Sequence, residues 1–187
     1  MSMILTTPPA LEPVTLAEAK ALLRIGHDDD DAEITTFITA ARRHSEARTG
    51  LALITQVWSV YRDDWPEDGV VELPLAPLVA VDAINVYGDD DVAAVVDAAH
   101  YYADLVSRPP RLLLRGSRVW ASPGRIGNGI EIVVTAGYGA TPSDVPEDLR
   151  EAVLLLTAHW YGNRNAGDVG MPLTVDTILS RYREVRL

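Results

Sequence analysis

The sequence of 187 residues has no cysteine, one lysine (Lys20) and one phenylalanine (Phe37). Without cysteine there are no disulfides and no thiolate metal sites, and the redox compartment is left open. No apolar run approaches the roughly 20 residues that a membrane-spanning helix needs. Met1, Ser2, Met3, Ile4, Leu5 and Thr6 lack the basic start and long apolar stretch of a secretory signal, so a cytoplasmic site of synthesis and no membrane partner are expected. Basic residues are also scarce: 16 Lys and Arg stand against 27 Asp and Glu, for a net charge of −11. That balance disfavours general binding to free nucleic acid, because phosphate contacts need clustered cations.

The usual signatures of chemistry are missing as well. His27, His44, His100 and His159 lie far apart and form no H-E-x-x-H pair, and no G-x-S-x-G elbow is present. The acidic run Asp28, Asp29, Asp30, Asp31 lacks the alternating ligands, central Gly and terminal Glu of a calcium loop, so it is expected to cap a helix. The glycines at 124, 127 and 129 are in the wrong order for a dinucleotide loop and read as a hairpin turn. Nothing here calls for a cofactor, a metal or a catalytic residue. His159 is expected to be a hydrogen-bonded core or interface histidine.

What is present is arginine, unevenly spread. Between Asp104 and Glu131 no acidic residue occurs, while Arg108, Arg111, Arg115, Arg118 and Arg125 all do. Arg108, Arg111, Arg115 and Arg118 are candidates to face DNA or an acidic partner, since a local basic patch can steer a specific partner to an acidic protein. The simpler reading of the same residues is the solvated face of strands.

The hydrophobic period divides the chain. Residues before Pro13 read as an extended leader. Thr15 with Glu18 three residues on makes a capping box for a short helix ending near Gly26. Ile34, Phe37, Ile38, Ala41 and Ser45 then share a helical face, with Arg42, Arg43 and Glu46 expected outside and Gly50 as the stop. From residue 54 the period becomes that of strands: 55–61, 70–73, 79–87, 92–96, 101–102, 111–114 and 129–136, punctuated by Pro and Gly. Pro146 opens a last long helix in which Leu149, Ala152, Val153, Leu156 and Trp160 form one face. Leu154, Leu155 and Ala158 make the other sides apolar too. A helix apolar nearly all round is buried on more than one side, so Leu154, Leu155, Ala158 and Trp160 are candidates for a boundary between subunits. In residues 174–187, Val175, Ile178, Leu179 and Tyr182 fall at helical spacing beside Arg181, Arg183 and Arg186. These seven are candidate docking residues for a partner groove, with a C-terminal helix packed on its own body as the alternative.

The expected class is α+β. A helical body comes from the terminal segments, 1–53 and 144–170; a small antiparallel β subdomain, sheet or barrel, is inserted at 54–143; and 171–187 form a docking tail.

Several stretches together carry a resemblance. They are Pro13-Val14-Thr15-Leu16-Ala17-Glu18-Ala19-Lys20, His27 with the four aspartates, Ala40-Ala41-Arg42, Glu46-Ala47-Arg48-Thr49-Gly50 and Thr55-Gln56. Ala136-Gly137-Tyr138-Gly139, Val145-Pro146, Leu149-Arg150 and Ala158-His159-Trp160-Tyr161 continue it. As a set they resemble the head–tail connector (adaptor) family of long-tailed bacteriophages, which includes adaptors of phage-like gene transfer agents. The resemblance implies a non-enzymatic ring of twelve copies beneath the portal protein. Such a ring continues the channel for packaged double-stranded DNA and receives a stopper or other tail-proximal protein. It implies assembly in the bacterial cytoplasm and a final place at the head–tail interface. Two readings stand beside it: a tail-completion or stopper protein of the same particle, and a small ligand-binding or enzymatic β-domain protein.

Overall fold

The computed structural model describes residues 1–165 and 170–183. The chain forms two compact units: Met1–Pro8 with Thr55–Gly137, and Pro9–Ile54 with Tyr138–Leu187. In chain order the elements are β1 (Ser2–Thr7), α1 (Leu16–Leu23), α2 (Asp31–Thr49), β2 (Gln56–Arg62), β3 (Val71–Glu72), β4 (Leu78–Tyr87) and β5 (Ala93–Val95). After these come β6 (Tyr101–Asp104), β7 (Arg111–Leu114), β8 (Ile130–Ala136), α3 (Glu147–Gly162) and α4 (Leu173–Ser180). The α+β class is as expected.

In the helical unit the local signals act as read. The Thr15 hydroxyl accepts from the Glu18 N–H at 3.2 Å, while the Glu18 carboxylate accepts from the Thr15 N–H at 2.7 Å. Such a cap contributes about 1 kcal/mol to its helix. Gly50 ends α2 at φ 72°, donating its N–H to the Glu46 carbonyl at 2.9 Å. α2 packs on α3, and α4 packs on both. Their shared core is Ile34, Ile38 and Ala41 against Leu149, Ala152, Val153 and Leu156, closed by Val175 and Leu179.

Two readings of this unit are corrected. The acidic run makes no side-chain cap at Asp30, the N-terminal boundary residue of α2. Instead Lys20 of α1 donates to Asp28 at 2.7 Å and to Asp31 at 2.6 Å, and Tyr161 of α3 donates to Asp30. The carboxylates fasten three helices, a tertiary role invisible to local spacing. Arg42, expected outside, is buried because Glu12 (2.7 Å) and Glu46 (2.6 Å) neutralise it on both sides.

The other unit contains a five-stranded antiparallel sheet, in the order β1-β2-β8-β4-β5, and a three-stranded sheet, β3-β7-β6. On the central strand β8, Ile130, Ile132, Val134 and Ala136 are buried while Glu131, Val133 and Thr135 are half-exposed, the period-2 alternation of a sheet with one covered face. Residues 2–7 are a correction: expected as part of an extended leader on the helical body, they form the edge strand β1 beside β2. The loop 124–129 is also not a hairpin. It enters β8 from the other sheet, and the Gly124 and Arg125 N–H groups donate to the Tyr87 carbonyl. Gly124 lies so close to the Gly88–Asp89 backbone that a Cβ there would clash.

Candidate functional site

The candidate residues fall on three surfaces. On α3, Leu149, Ala152, Val153 and Leu156 face the core, and Leu154, Leu155, Ala158 and Trp160 are each half-buried. Trp160 meets His44 edge-on at 5.7 Å, and His159 Nε2 lies 3.1 Å from the Gly170 carbonyl. Leu154, Leu155 and Ala158 thus share one side of α3, while Trp160 lies on the side of Leu149, Val153 and Leu156.

The C-terminal surface departs from expectation. Val175 and Leu179 are completely buried against α2 and α3, so the apolar stripe of α4 belongs to the protein's own core and is not free to dock elsewhere. Arg48 reinforces the packing with a 2.7 Å ion pair to Asp176, and the Tyr182 hydroxyl donates to Asp148 at 2.7 Å. Ile178 and Tyr182 are half-buried; Arg181 and Arg183 are exposed. Arg186 lies outside the described residues.

The arginine segment splits into engaged and open members. Arg111 donates to Asp104 at 3.0 Å. The Ser107 hydroxyl and backbone N–H, with Arg111 after them, hold the Asp104 carboxyl down at about 2. Arg115 donates to the Tyr101 carbonyl at 2.8 Å and lies 5.7 Å from the Tyr102 ring centre. Arg125 pairs with Asp91 at 2.6 Å and stacks 4.4 Å from the Tyr87 ring centre. Arg108 and Arg118 are exposed, close in sequence to the exposed Val106 and Val119. Two tryptophans pin the loop that carries Arg118. Trp65 and Trp120 stack at 4.3 Å, and their indole N–H groups donate to the Ala121 carbonyl (2.7 Å) and the Gly69 carbonyl (2.9 Å). An open groove of about 550 Å³ beside them is lined by Trp65, Val70, Leu114, Arg118, Val119 and Trp120.

A fourth feature escaped the sequence reading. Glu131 of β8 accepts hydrogen bonds from Ser59 (2.8 Å) and Tyr61 (2.8 Å) of β2, and from Asn85 (3.0 Å) and Tyr87 (2.7 Å) of β4. Burial pushes its carboxyl up, but the four donors outweigh that and hold it at about 2; the same carboxylate raises both tyrosines. Cross-strand pairing places Tyr61 and Asn85 directly opposite Glu131. The only sequence signal was a lone charged residue in a mostly apolar strand. Among the described residues no cluster of His, Asp or Glu has the makings of a metal site.

The fold defines the class: an α+β protein with partly covered apolar side chains on α3 and an exposed arginine on a loop pinned by two tryptophans. Comparison with known proteins specifies it. The model of the phage gp6-like head-tail connector family matches residues 13–104. A chain in the neck of an empty gene transfer agent particle, computed with C6 symmetry, is 31% identical with a TM-score of 0.86, over 100% of this chain and 97% of that one. A chain in the virion of a native gene transfer agent particle is 30% identical with a TM-score of 0.87, over the same shares. A chain in the neck of a native particle, computed with C12 symmetry, is 31% identical with a TM-score of 0.77, over 98% and 97%. No curated protein sequence matches significantly. The chain belongs to the phage gp6-like head-tail connector family and is a structural connector protein.

Proposed function

We propose that this connector is the adaptor ring beneath the portal of a phage or phage-like particle, with twelve copies around the channel for packaged double-stranded DNA. It joins the filled capsid to a stopper or other tail-proximal protein, is made and assembled in the cytoplasm of the producing bacterium, and acts without catalysis. The observation that carries this reading is end-to-end correspondence with a neck chain: 100% of this chain and 97% of the relative at a TM-score of 0.86.

The surfaces divide the work. Leu154, Leu155 and Ala158 on one side of α3, and Trp160 on another, lie at subunit boundaries where neighbours complete their burial, because partly exposed apolar surface marks an interface. Arg181 and Arg183, exposed just beyond α4, together with Arg186, meet the portal. Arg108 and Arg118 face DNA in the channel or an acidic neighbour, and Arg111 and Arg115 shape the strands beneath them. Heads that carry portal but no tail separate the adaptor from a tail-side stopper. Blotting purified tail-less heads should find this chain on them. Its presence only on tails or on completed particles would favour the stopper reading instead.

A further inference from the structure

Both edges of the five-stranded sheet are open, and both are unusually apolar. At one edge, β1 contains no charged residue and no proline, and Met1, Met3 and Ile4 are 65%, 39% and 57% exposed. At the other, β5 sits in the stretch 92–99, which apart from Asp97 is only Val and Ala; Val92 and Val95 are 63% and 71% exposed. Soluble proteins normally protect such edges with charges, prolines or short strands, since an open edge is a template for another chain. β5 is short, but the apolar stretch around it is not.

We propose that these two edges join neighbouring copies of this chain, β1 of one copy lying beside β5 of the next, so that the sheets continue from subunit to subunit. The inference rests on the ring reading above. Three observations favour a second copy as the occupant. First, the edges are different surfaces of one molecule, and a contact between unlike surfaces is the kind that repeats head to tail and closes into a ring. Secondly, the four antiparallel pairings between β1 and β5 make these strands run in the same direction. A neighbouring copy that continues the sheet with its twist therefore places its β1 beside β5 as a parallel strand. Thirdly, the two edges match in apolar character: β1 and β5 start at the same end of the sheet, so the exposed Met1, Met3 and Ile4 of one copy run along the apolar stretch 92–96 of the next.

The cross-strand pairs also fix which side chains meet. Val95, Asn85, Glu131, Tyr61 and Ser2 form one continuous rung across the sheet, and Ile4, opposite Ser59, points to the same face. Continuing that rung into the next copy brings Val95 beside Ser2 of the neighbour, or beside Ile4 when the register shifts by two residues. Strands about 4.8 Å apart place such pairs within the Cα separation a disulfide spans.

Because the chain has no cysteine, introduced pairs report this contact alone. The experiment makes particles with Ser2→Cys/Val95→Cys or Ile4→Cys/Val95→Cys, oxidises them, and runs non-reducing gels blotted for this chain. The expected result is a ladder extending beyond the dimer from one of the pairs, collapsed by reductant, with no cross-linking by the single variants. Variant chains present in the particle without any ladder would overturn the proposal. So would dimers from Ile4→Cys alone, which would mean β1 meeting β1. Ile4→Lys supplies a second arm: on an exposed edge it should leave thermal unfolding unchanged and lower incorporation into particles at least tenfold. Normal incorporation would contradict the edge contact. Absence of the wild-type chain from particles would instead refute the ring reading itself, so the two failures are distinguishable.

Discussion

Replacing Glu131 with Gln removes the charge that four donors share and turns one of its two acceptor oxygens into a donor, while keeping the size of the side chain. In the folded protein the carboxyl sits at about 2 instead of its ordinary 4.5, because Asn85, Tyr87, Tyr61 and Ser59 outweigh the cost of burial. A shift of that size corresponds to about 3.4 kcal/mol at most. The group is half-exposed and screened by water, so about 1–2 kcal/mol is expected. Because the folded value lies below the unfolded one, the contribution is complete above about pH 4.5 and disappears as pH falls toward 2. Urea unfolding of wild type and E131Q from pH 7 to pH 3 isolates this group, since the other carboxylates are common to both proteins. The stability gap should be about 1–2 kcal/mol at pH 7 and shrink by more than half at pH 3. A gap that stays constant over that range would refute the argument, leaving only a loss of packing.

Three further outcomes are expected. Leu179→Ala should destabilise the protein by about 2–4 kcal/mol, because it opens a cavity where α4 closes the helical core; a change within 0.5 kcal/mol by urea unfolding, about that of a surface substitution, would contradict the packed position of α4. Leu154→Glu with Leu155→Glu should leave the monomer folded by circular dichroism yet reduce the copies of this chain per particle, read on quantitative gels. Arg108→Glu with Arg118→Glu should lower the yield of DNA-filled particles, measured by packaged DNA, whereas Arg111→Glu should mainly loosen the turn it forms with Asp104, read as a lower melting temperature.

What was legible in the sequence was whatever depends on near neighbours. The Thr15–Glu18 box, the Gly50 stop and the alternation of Ile130, Ile132 and Val134 each act within a few residues, and each lies where its pattern placed it. Strand β1 was not legible, because Ser2–Thr7 is ordered by partners more than fifty residues away and its own residues show no period. The aspartate run misled for the same reason: a capping preference is local, while Lys20 and Tyr161 reach Asp28, Asp30 and Asp31 through tertiary packing. The excess apolar surface of α3 was visible as an overfilled helical pattern, and Leu154, Leu155, Ala158 and Trp160 are indeed only partly covered. The tail could not be judged from its stripe, since Val175 and Leu179 have the same spacing whether they dock on another protein or on α2 and α3. Nor could it be read that, of the four exposed arginines Arg108, Arg111, Arg115 and Arg118, Arg111 and Arg115 have acceptors on β6.

The central claim is that this chain is the ring directly beneath the portal. The most direct measurement is a reconstruction of the neck of the particle that contains it, resolved well enough to fit the two units of this chain separately. The account predicts twelve copies in one layer, touching portal on one side and the next tail-proximal protein on the other, with Leu154, Leu155 and Trp160 covered at subunit boundaries. A layer below the portal built from another polypeptide, with this chain elsewhere in the particle, would contradict it.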